Sequence, residues 1–416
     1  MIGVSAAGPL GADADGFLPD ERAPLRLRPS SEPARERVSD LLDPEEERQY
    51  WIAISLIPGI GPVSFTRILE RFGSARAAWV AGTAMLSGLA RLPAEAPEAL
   101  HRLRRRGAAA TAARVERRTR AAGGRVVTAI DADYPPALRD AVPAPAVLYL
   151  AGDADAFALP GVAVVGTRRA SGYGRSCASE IADELARAGA AVVSGLALGI
   201  DGEAHQAALA AGGRTIAVLP SPIDRVYPPR HRTLAQRIVA SGGALVSELP
   251  PGLVPGRPDF ARRNRIIAGL ASAVVVVEAP DRSGALLTAA AAVQLGRELY
   301  AVPGPIDALA SRGCNRLIAD QLATIVTSSV GLLGSIGLGR VERPLSVANL
   351  SDNEALVLAT LLKRVGSVEE LMTRTQLATS SLASALTLLE ARGLVTSYGG
   401  ATFHPTLVAR RLGWTP

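Results

Sequence analysis

The stretch Phe260-Ala261-Arg262-Arg263-Asn264-Arg265 places an aromatic ring just before three arginines and an asparagine, at the head of the apolar helical run Ile266 to Leu270. Guanidinium groups neutralise phosphate, and a ring offers a face on which an unpaired base can stack. This mixture therefore suits a single nucleic-acid strand. The same residues also read as an arginine-rich helix start held by internal carboxylates such as Glu278. A second cluster, Gly166-Thr167-Arg168-Arg169-Ala170-Ser171-Gly172-Tyr173-Gly174, follows a β-branched run. Here Arg168 can reach a backbone phosphate while turn N–H groups and a helix N-terminus point the same way. Ser194-Gly195-Leu196-Ala197-Leu198-Gly199-Ile200-Asp201 adds small residues that let another backbone come close, and Asp201 is expected to cap the next helix. His205 reads as a structural or capping histidine rather than a catalyst. No residue is assigned a catalytic role. Cys177 and Cys314 lack metal-ligand or paired-thiol spacing, so neither a metal nor a disulfide framework is expected.

These clusters need a scaffold. Short apolar runs at Val162–Val165, Ala191–Ser194, Thr215–Leu219, Ala244–Ser247, Val274–Glu278 and Glu298–Val302 alternate with helical segments around Tyr173–Arg187, Gly202–Ala211, Thr233–Ser241, Arg263–Ala271 and Gly284–Leu295. Near-continuous apolar strands separated by helices mean a buried parallel sheet covered on both faces, a Rossmann-like α/β domain over residues 125–335. Ligands of such sheets sit outside the carboxyl ends of the strands, where both clusters fall. The glycine-rich loop is not G-x-G-x-x-G, and the second strand ends in Ser194-Gly195 rather than an acidic residue. A nicotinamide dinucleotide is thereby disfavoured, and no cofactor is expected.

The flanks differ in composition. Residues 1–45 are rich in Ala, Gly, Pro, Asp and Arg without apolar periodicity and read as a disordered leader. Residues 46–122 read as a small helical domain of helix-hairpin-helix or SAM-like type, with Pro58-Gly59-Ile60-Gly61-Pro62 joining two helices. That turn either holds a phosphate or simply closes a small bundle. The run Arg102, Arg104, Arg105, Arg106, Arg114, Arg117, Arg118 and Arg120 is either a solvated helix face or a nucleic-acid contact. Residues 348–411 follow a winged-helix order, but the would-be recognition helix Ser380–Arg392 carries little positive charge, which argues against sequence-specific duplex reading. The chain carries a formal charge of +6. Of its 45 basic residues only Lys363 is lysine, which fits codon bias but leaves many phosphate-binding forks. The start of the chain does not read as a signal peptide, and no apolar run of about 18 residues is present to span a bilayer. A cytoplasmic protein is expected.

The motifs G-T-R (Gly166 to Arg168), S-G-L-A-x-G-I-D (Ser194 to Asp201), Y-P (Tyr227, Pro228), R-N-R-I-I-A-G-L (Arg263 to Leu270), S-G-x-L-x-T (Ser283 to Thr288) and A-V-P-G (Ala301 to Gly304) occur in an order that resembles the DNA-processing protein A (DprA/Smf) family. The resemblance implies a homodimeric, non-catalytic recombination mediator of natural transformation that binds single-stranded DNA and loads the RecA recombinase past the single-strand-binding protein. Carried over by position, Arg168 would hold phosphate, Phe260 would stack on a base, and Arg169, Ser171, Gly195, Arg262, Arg263, Asn264, Arg265, Ser283 and Thr288 would line the DNA site. Two departures stand out: Pro220-Ser221-Pro222 where the family tends to have glycine, and Gln321-Leu322 in place of the usual Gly-Ala. A nucleotide-acting phosphoribohydrolase on a similar sheet is the alternative, but it would show P-G-G-x-G-T where Ser283-Gly284-Ala285-Leu286-Leu287-Thr288 stands. A winged-helix regulator with a nucleotide-sensing domain is a third reading, which the weakly charged recognition helix disfavours.

Overall fold

The computed structural model describes residues 43–89, 92–139, 141, 143–339, 350–392, 394–398, 402–406 and 409. The expected leader lies outside these residues except at its end, where Pro44 and Glu45 already belong to the first helix. That helix, α1 (Pro44–Ser55), opens with Glu45, Glu46 and Glu47, whose charges favour the positive end of the helix dipole, and buries Trp51, Ile52 and Ile54. Next come α2 (Pro62–Phe72), α3 (Ala75–Ala81), α4 (Ala96–Arg106) and α5 (Ala108–Ala121). The glycine-rich turn between α1 and α2 sends Ile57 and Ile60 into the bundle core beside Trp51 and Phe65, so it packs the bundle together. The rings of Trp51 and Phe65 lie 4.8 Å apart.

The central domain runs β1 (Gly124–Thr128), α6 (Pro136–Arg139), β2 (Val147–Gly152), β3 (Gly161–Gly166), α7 (Gly172–Arg187), β4 (Ala191–Ser194), α8 (Ile200–Ala210), β5 (Thr215–Val218), α9 (Arg232–Ala240), β6 (Ala244–Ser247), α10 (Arg257–Gly269), β7 (Ala273–Glu278), α11 (Gly284–Gln294), β8 (Glu298–Ala301), α12 (Arg312–Ala319), β9 (Thr324–Ile325) and α13 (Ser329–Ser335). Among the described residues nine strands form one sheet in the order β1-β2-β6-β5-β4-β3-β7-β8-β9. The segment from β6 to β9 is parallel, as expected. The other edge adds two strands that the sequence reading does not name, β1 and β2, with β2 antiparallel to both β1 and β6.

Both faces of the parallel part are buried, and successive valines serve opposite sides. Val162 and Val164 of β3 face the side covered by α7 and α8, with Ile181, Leu185 and Ala204. Ala163 and Val165 face α10 and α11, with Ile266, Ala285 and Ala289. This is the alternation a pleated strand imposes between two helical layers.

The C-terminal elements are α14 (Asp352–Lys363), β10 (Gly366–Ser367), α15 (Val368–Thr375), α16 (Thr379–Ala391), β11 (Val395–Tyr398) and β12 (Thr402–Pro405), with strand order β10-β12-β11. This is a winged-helix arrangement, closed by Leu358, Leu371, Leu382 and Leu389. Capping boxes Ser351/Glu354 and Ser367/Glu370 start α14 and α15. Gly399, Gly400 and the residues after 409 lie outside the described residues.

Candidate nucleic-acid interface

The chain leaves β3 toward β4, β5 and β6 on one side and returns as β7 on the other. Connections at such a switch point diverge and leave a crevice at the carboxyl ends of the strands. The crevice here has a volume of about 490 Å³. Its walls come from the β3–α7 loop (Thr167, Arg168, Arg169), from α10 (Arg257, Phe260, Arg263, Asn264) and from the start of α11 (Arg282, Ser283, Thr288).

The β3–α7 loop is anchored from behind. Thr167 donates its N–H to the Glu278 carbonyl at 2.7 Å. Ser171 donates its N–H and its hydroxyl to the Glu278 carboxylate at 2.9 and 2.7 Å, and its Oγ accepts from Gly174 N at 3.0 Å as the cap of α7. Glu278 is buried and held by this loop. It therefore serves the loop and does not pair with the arginines of α10. With the loop fixed, Arg168 and Arg169 are left at its outer turn, exposed. The Arg168 guanidinium lies 5.4 Å from the Phe260 ring centroid, a cation–π geometry. Tyr227 meets the same ring edge-on at 5.3 Å.

The β4–α8 loop is fixed differently. Gly199 has φ +79°, and a Cβ there would come within 2.3 Å of the Thr167 carbonyl, so no other residue fits. Asp201 does not cap α8. It sits inside the first turn of that helix, and its carboxylate accepts from Gly195 N at 3.1 Å and Ala197 N at 3.4 Å. His205 is fully buried, with Nδ1 2.7 Å from Thr215 Oγ1. Thr215 Oγ1 itself donates to Val192 O, so His205 is the donor and carries its proton on Nδ1. Burial pushes its pKa down to about 3, as suits a structural histidine.

Helix α10 starts at Arg257, six residues earlier than expected, with Pro258 in its first turn. Its arginines have different environments. Arg263 is 8% exposed and donates to Gly195 O at 2.6 Å and also to Val218 O. Burial pulls its guanidinium down to about 10, still charged at neutral pH. Asn264 ties α10 to α11 by donating to Gly284 O at 3.0 Å. Arg265 pairs with Glu248 and donates to Pro143 O at 3.1 Å, away from the crevice. Arg262 is half-exposed and 3.6 Å from Asp259. Ser283 caps α11 by accepting from Ala285 N at 3.3 Å. Thr288 is buried in the wall, and Gly195 lines a smaller recess beneath Phe260 and Tyr227.

The structure thus assembles Arg168, Arg169, Phe260, Arg263, Asn264, Ser283 and Thr288 around one crevice, while Ser171 braces the β3–α7 loop from behind rather than lining it. It adds Arg257 and Arg282 to the walls and Tyr227 against the Phe260 ring, which the motifs alone do not assign. Pro258 was the available signal, since proline favours the first turn of a helix and places Arg257 at its start. Among the described residues, Arg168, Arg169, Arg257 and Arg282 have no carboxylate partner. The crevice therefore presents four exposed cations and the Phe260 ring, with Tyr227 against that ring in the adjoining recess, while the acids beside it, Asp201 and Glu278, are turned inward onto backbone and hydroxyl donors. That arrangement can bind a polyanion through its backbone and stack an unpaired base. Among the described residues no group of His, Cys, Asp and Glu could hold a metal ion, and no helix is long and apolar enough to cross a membrane.

A family model described as DNA recombination-mediator protein A matches residues 125–336, and a second, described as the DprA winged helix domain, matches residues 341–401. The chain is 37% identical over 295 residues to Protein Smf of Synechocystis sp., covering 70% of this chain and 73% of that protein. It is 40% identical over 291 residues to a putative DNA processing protein DprA of Mycobacterium tuberculosis, covering 65% of this chain and 75% of that one. Among solved structures, DNA processing protein A from Streptococcus pneumoniae aligns with a TM-score of 0.59 at 32% identity, over 69% of this chain and 97% of that chain.

Proposed function

The chain belongs to the DprA/Smf family of DNA recombination mediators, and from that premise we propose that its arginine-lined crevice binds single-stranded DNA. The observation that carries the reading is the set of four exposed arginines without acid partners among the described residues, arranged around the Phe260 and Tyr227 rings. Cations meet the phosphates, and the rings meet a base whose face a duplex would keep covered. Arg168, Arg169, Arg257 and Arg282 contact the backbone, and Phe260 stacks. Arg263, Asn264, Ser171 and Gly195 shape the loops, while Ser283 and Thr288 complete the wall. Arg265 and Arg262 contribute to the local field.

In this reading the protein acts by binding rather than turnover. As the family resemblance implies, it works as a homodimer in the cytoplasm and passes the strand to a RecA-type recombinase against single-strand-binding protein during uptake of DNA. The test is fluorescence anisotropy with oligo-dT and a blunt duplex of equal length at low and high salt, using wild type, Arg168→Ala and Phe260→Ala. Tighter single-strand binding that weakens with salt and with both substitutions supports the reading. Equal affinity of all three proteins for oligo-dT removes the site. Strand exchange by RecA on strands precoated with single-strand-binding protein, with and without this protein, tests the loading step.

A further inference from the structure

A second cavity, of about 220 Å³, opens between α5 and the loop that follows β6. Thr111, Arg114, Val115 and Arg118 line it at the i, i+3, i+4, i+7 spacing of one helical stripe, Arg106 adds a third cation, and Pro250–Leu253 close the other side. Arg118 lies so near Gly252 that a Cβ on that glycine would come within 2.8 Å of its guanidinium. Among the described residues, the nearby acids serve other partners: Glu116 pairs with Arg48 and Glu98 with Arg102. Three like charges drawn to one concavity repel each other, and a bound anion relieves that repulsion.

Thr111 provides an independent observation. It is buried in the lining of this cavity, and its Oγ1 has no hydrogen-bond partner among the described residues. A buried hydroxyl without a partner is destabilising until another polar group reaches it.

We infer that this cavity is a second phosphate-binding subsite, in which Arg106, Arg114 and Arg118 hold a phosphate group and Thr111 hydrogen-bonds one of its oxygens. Gly252 at this cavity and Arg257 at the crevice are joined by five residue steps, at most about 18 Å of extended chain. A strand lying in the crevice can therefore continue into the subsite, and this source of the phosphate rests on the single-strand reading above. A free phosphate ion is the other source of the same chemistry.

The experiment compares full-length wild type, Arg114→Ala/Arg118→Ala and Thr111→Val. Each is titrated with a short and a several-fold longer oligo-dT across a range of salt, and with inorganic phosphate followed by thermal shift. The expected result is a longer-strand advantage of about tenfold in wild type that falls severalfold in the double variant. Short-strand affinity stays unchanged, and the salt slope on the longer strand drops by about 0.7 for each phosphate that the variant no longer neutralises. Thr111→Val removes the hydroxyl while keeping the branched shape, and it moves the advantage in the same direction by a smaller factor. Loss of the phosphate-induced thermal shift in the variants, with strand binding unchanged, supports the subsite and assigns it to free phosphate. Unchanged strand advantage together with an unchanged phosphate response overturns it. If wild type binds neither strand, the crevice reading fails on its own, and the phosphate titration alone decides the subsite.

Discussion

Replacing Arg168 by Ala removes one of four exposed cations without touching the core, because Arg168 has no carboxylate partner among the described residues and lies over the Phe260 ring at 5.4 Å. If Arg168, Arg169, Arg257 and Arg282 each meet one phosphate, the logarithm of affinity for a single strand falls with the logarithm of salt at a slope near 0.7 × 4, about 2.8. Taking away one of the four lowers the slope to about 2.1. Raising salt fourfold should then weaken wild type about 50-fold and the variant only about 20-fold. Oligo-dT titrations by fluorescence anisotropy across a series of salt concentrations separate these values, and thermal melting should be unchanged. A variant whose slope equals that of wild type would refute the assignment of Arg168 to a phosphate, whatever happened to its affinity at one salt.

The other arginine of the motif should behave in the opposite way. Arg263→Ala leaves the Gly195 and Val218 carbonyls without their buried donor, so it should destabilise the fold by about 2–4 kcal/mol in urea denaturation while changing the salt slope little. Normal stability would show that these bonds contribute nothing. Phe260→Ala should lose about 1–3 kcal/mol of strand affinity with the slope intact, since stacking releases no counterions. A changed slope with unchanged affinity would contradict that. His205 titrates at about 3 in the fold against an ordinary value of 6.5. The unfolded chain therefore binds more protons between those limits, and the stability that the neutral ring contributes is full above pH 6.5 and lost on acidification, at about 1.4 kcal/mol per pH unit. Urea midpoints at pH 7 and pH 5 should converge when wild type is compared with His205→Asn, and parallel profiles would argue against the buried neutral ring.

Much of the scaffold was legible because its parallel strands are buried on both faces. Runs such as Val162–Val165 and Val274–Glu278 have no polar interruption and stand between helices of distinct composition. The strands without a sequence signal lack that pattern. β9 is only Thr324–Ile325, too short to show a period, and the antiparallel edge made by β1 and β2 lies outside the strand–helix alternation that revealed the rest. The chemistry was legible as a cluster but not residue by residue. Whether an arginine is free or engaged depends on partners distant in sequence. For Arg263 these are Gly195 and Val218, and for Arg265 it is Glu248. Asp201 departs from the expected cap for a related reason, since a short acidic residue at a helix start satisfies whichever N–H groups the fold brings to it. The loop before α8 brought those of Gly195 and Ala197.

The grip of Glu278 on Ser171 and of Asp201 on the β4–α8 loop has a kinetic meaning. Loops that are already ordered lose little conformational freedom when a ligand arrives, so neither a slow closing step nor an ordering penalty stands between encounter and capture. In the proposed binding mode, a strand held separately by arginines on three different segments can also be released from them one at a time. Association should therefore follow a single phase limited by diffusion and charge steering, and a competing binder should be able to peel the strand away from one end without waiting for full dissociation.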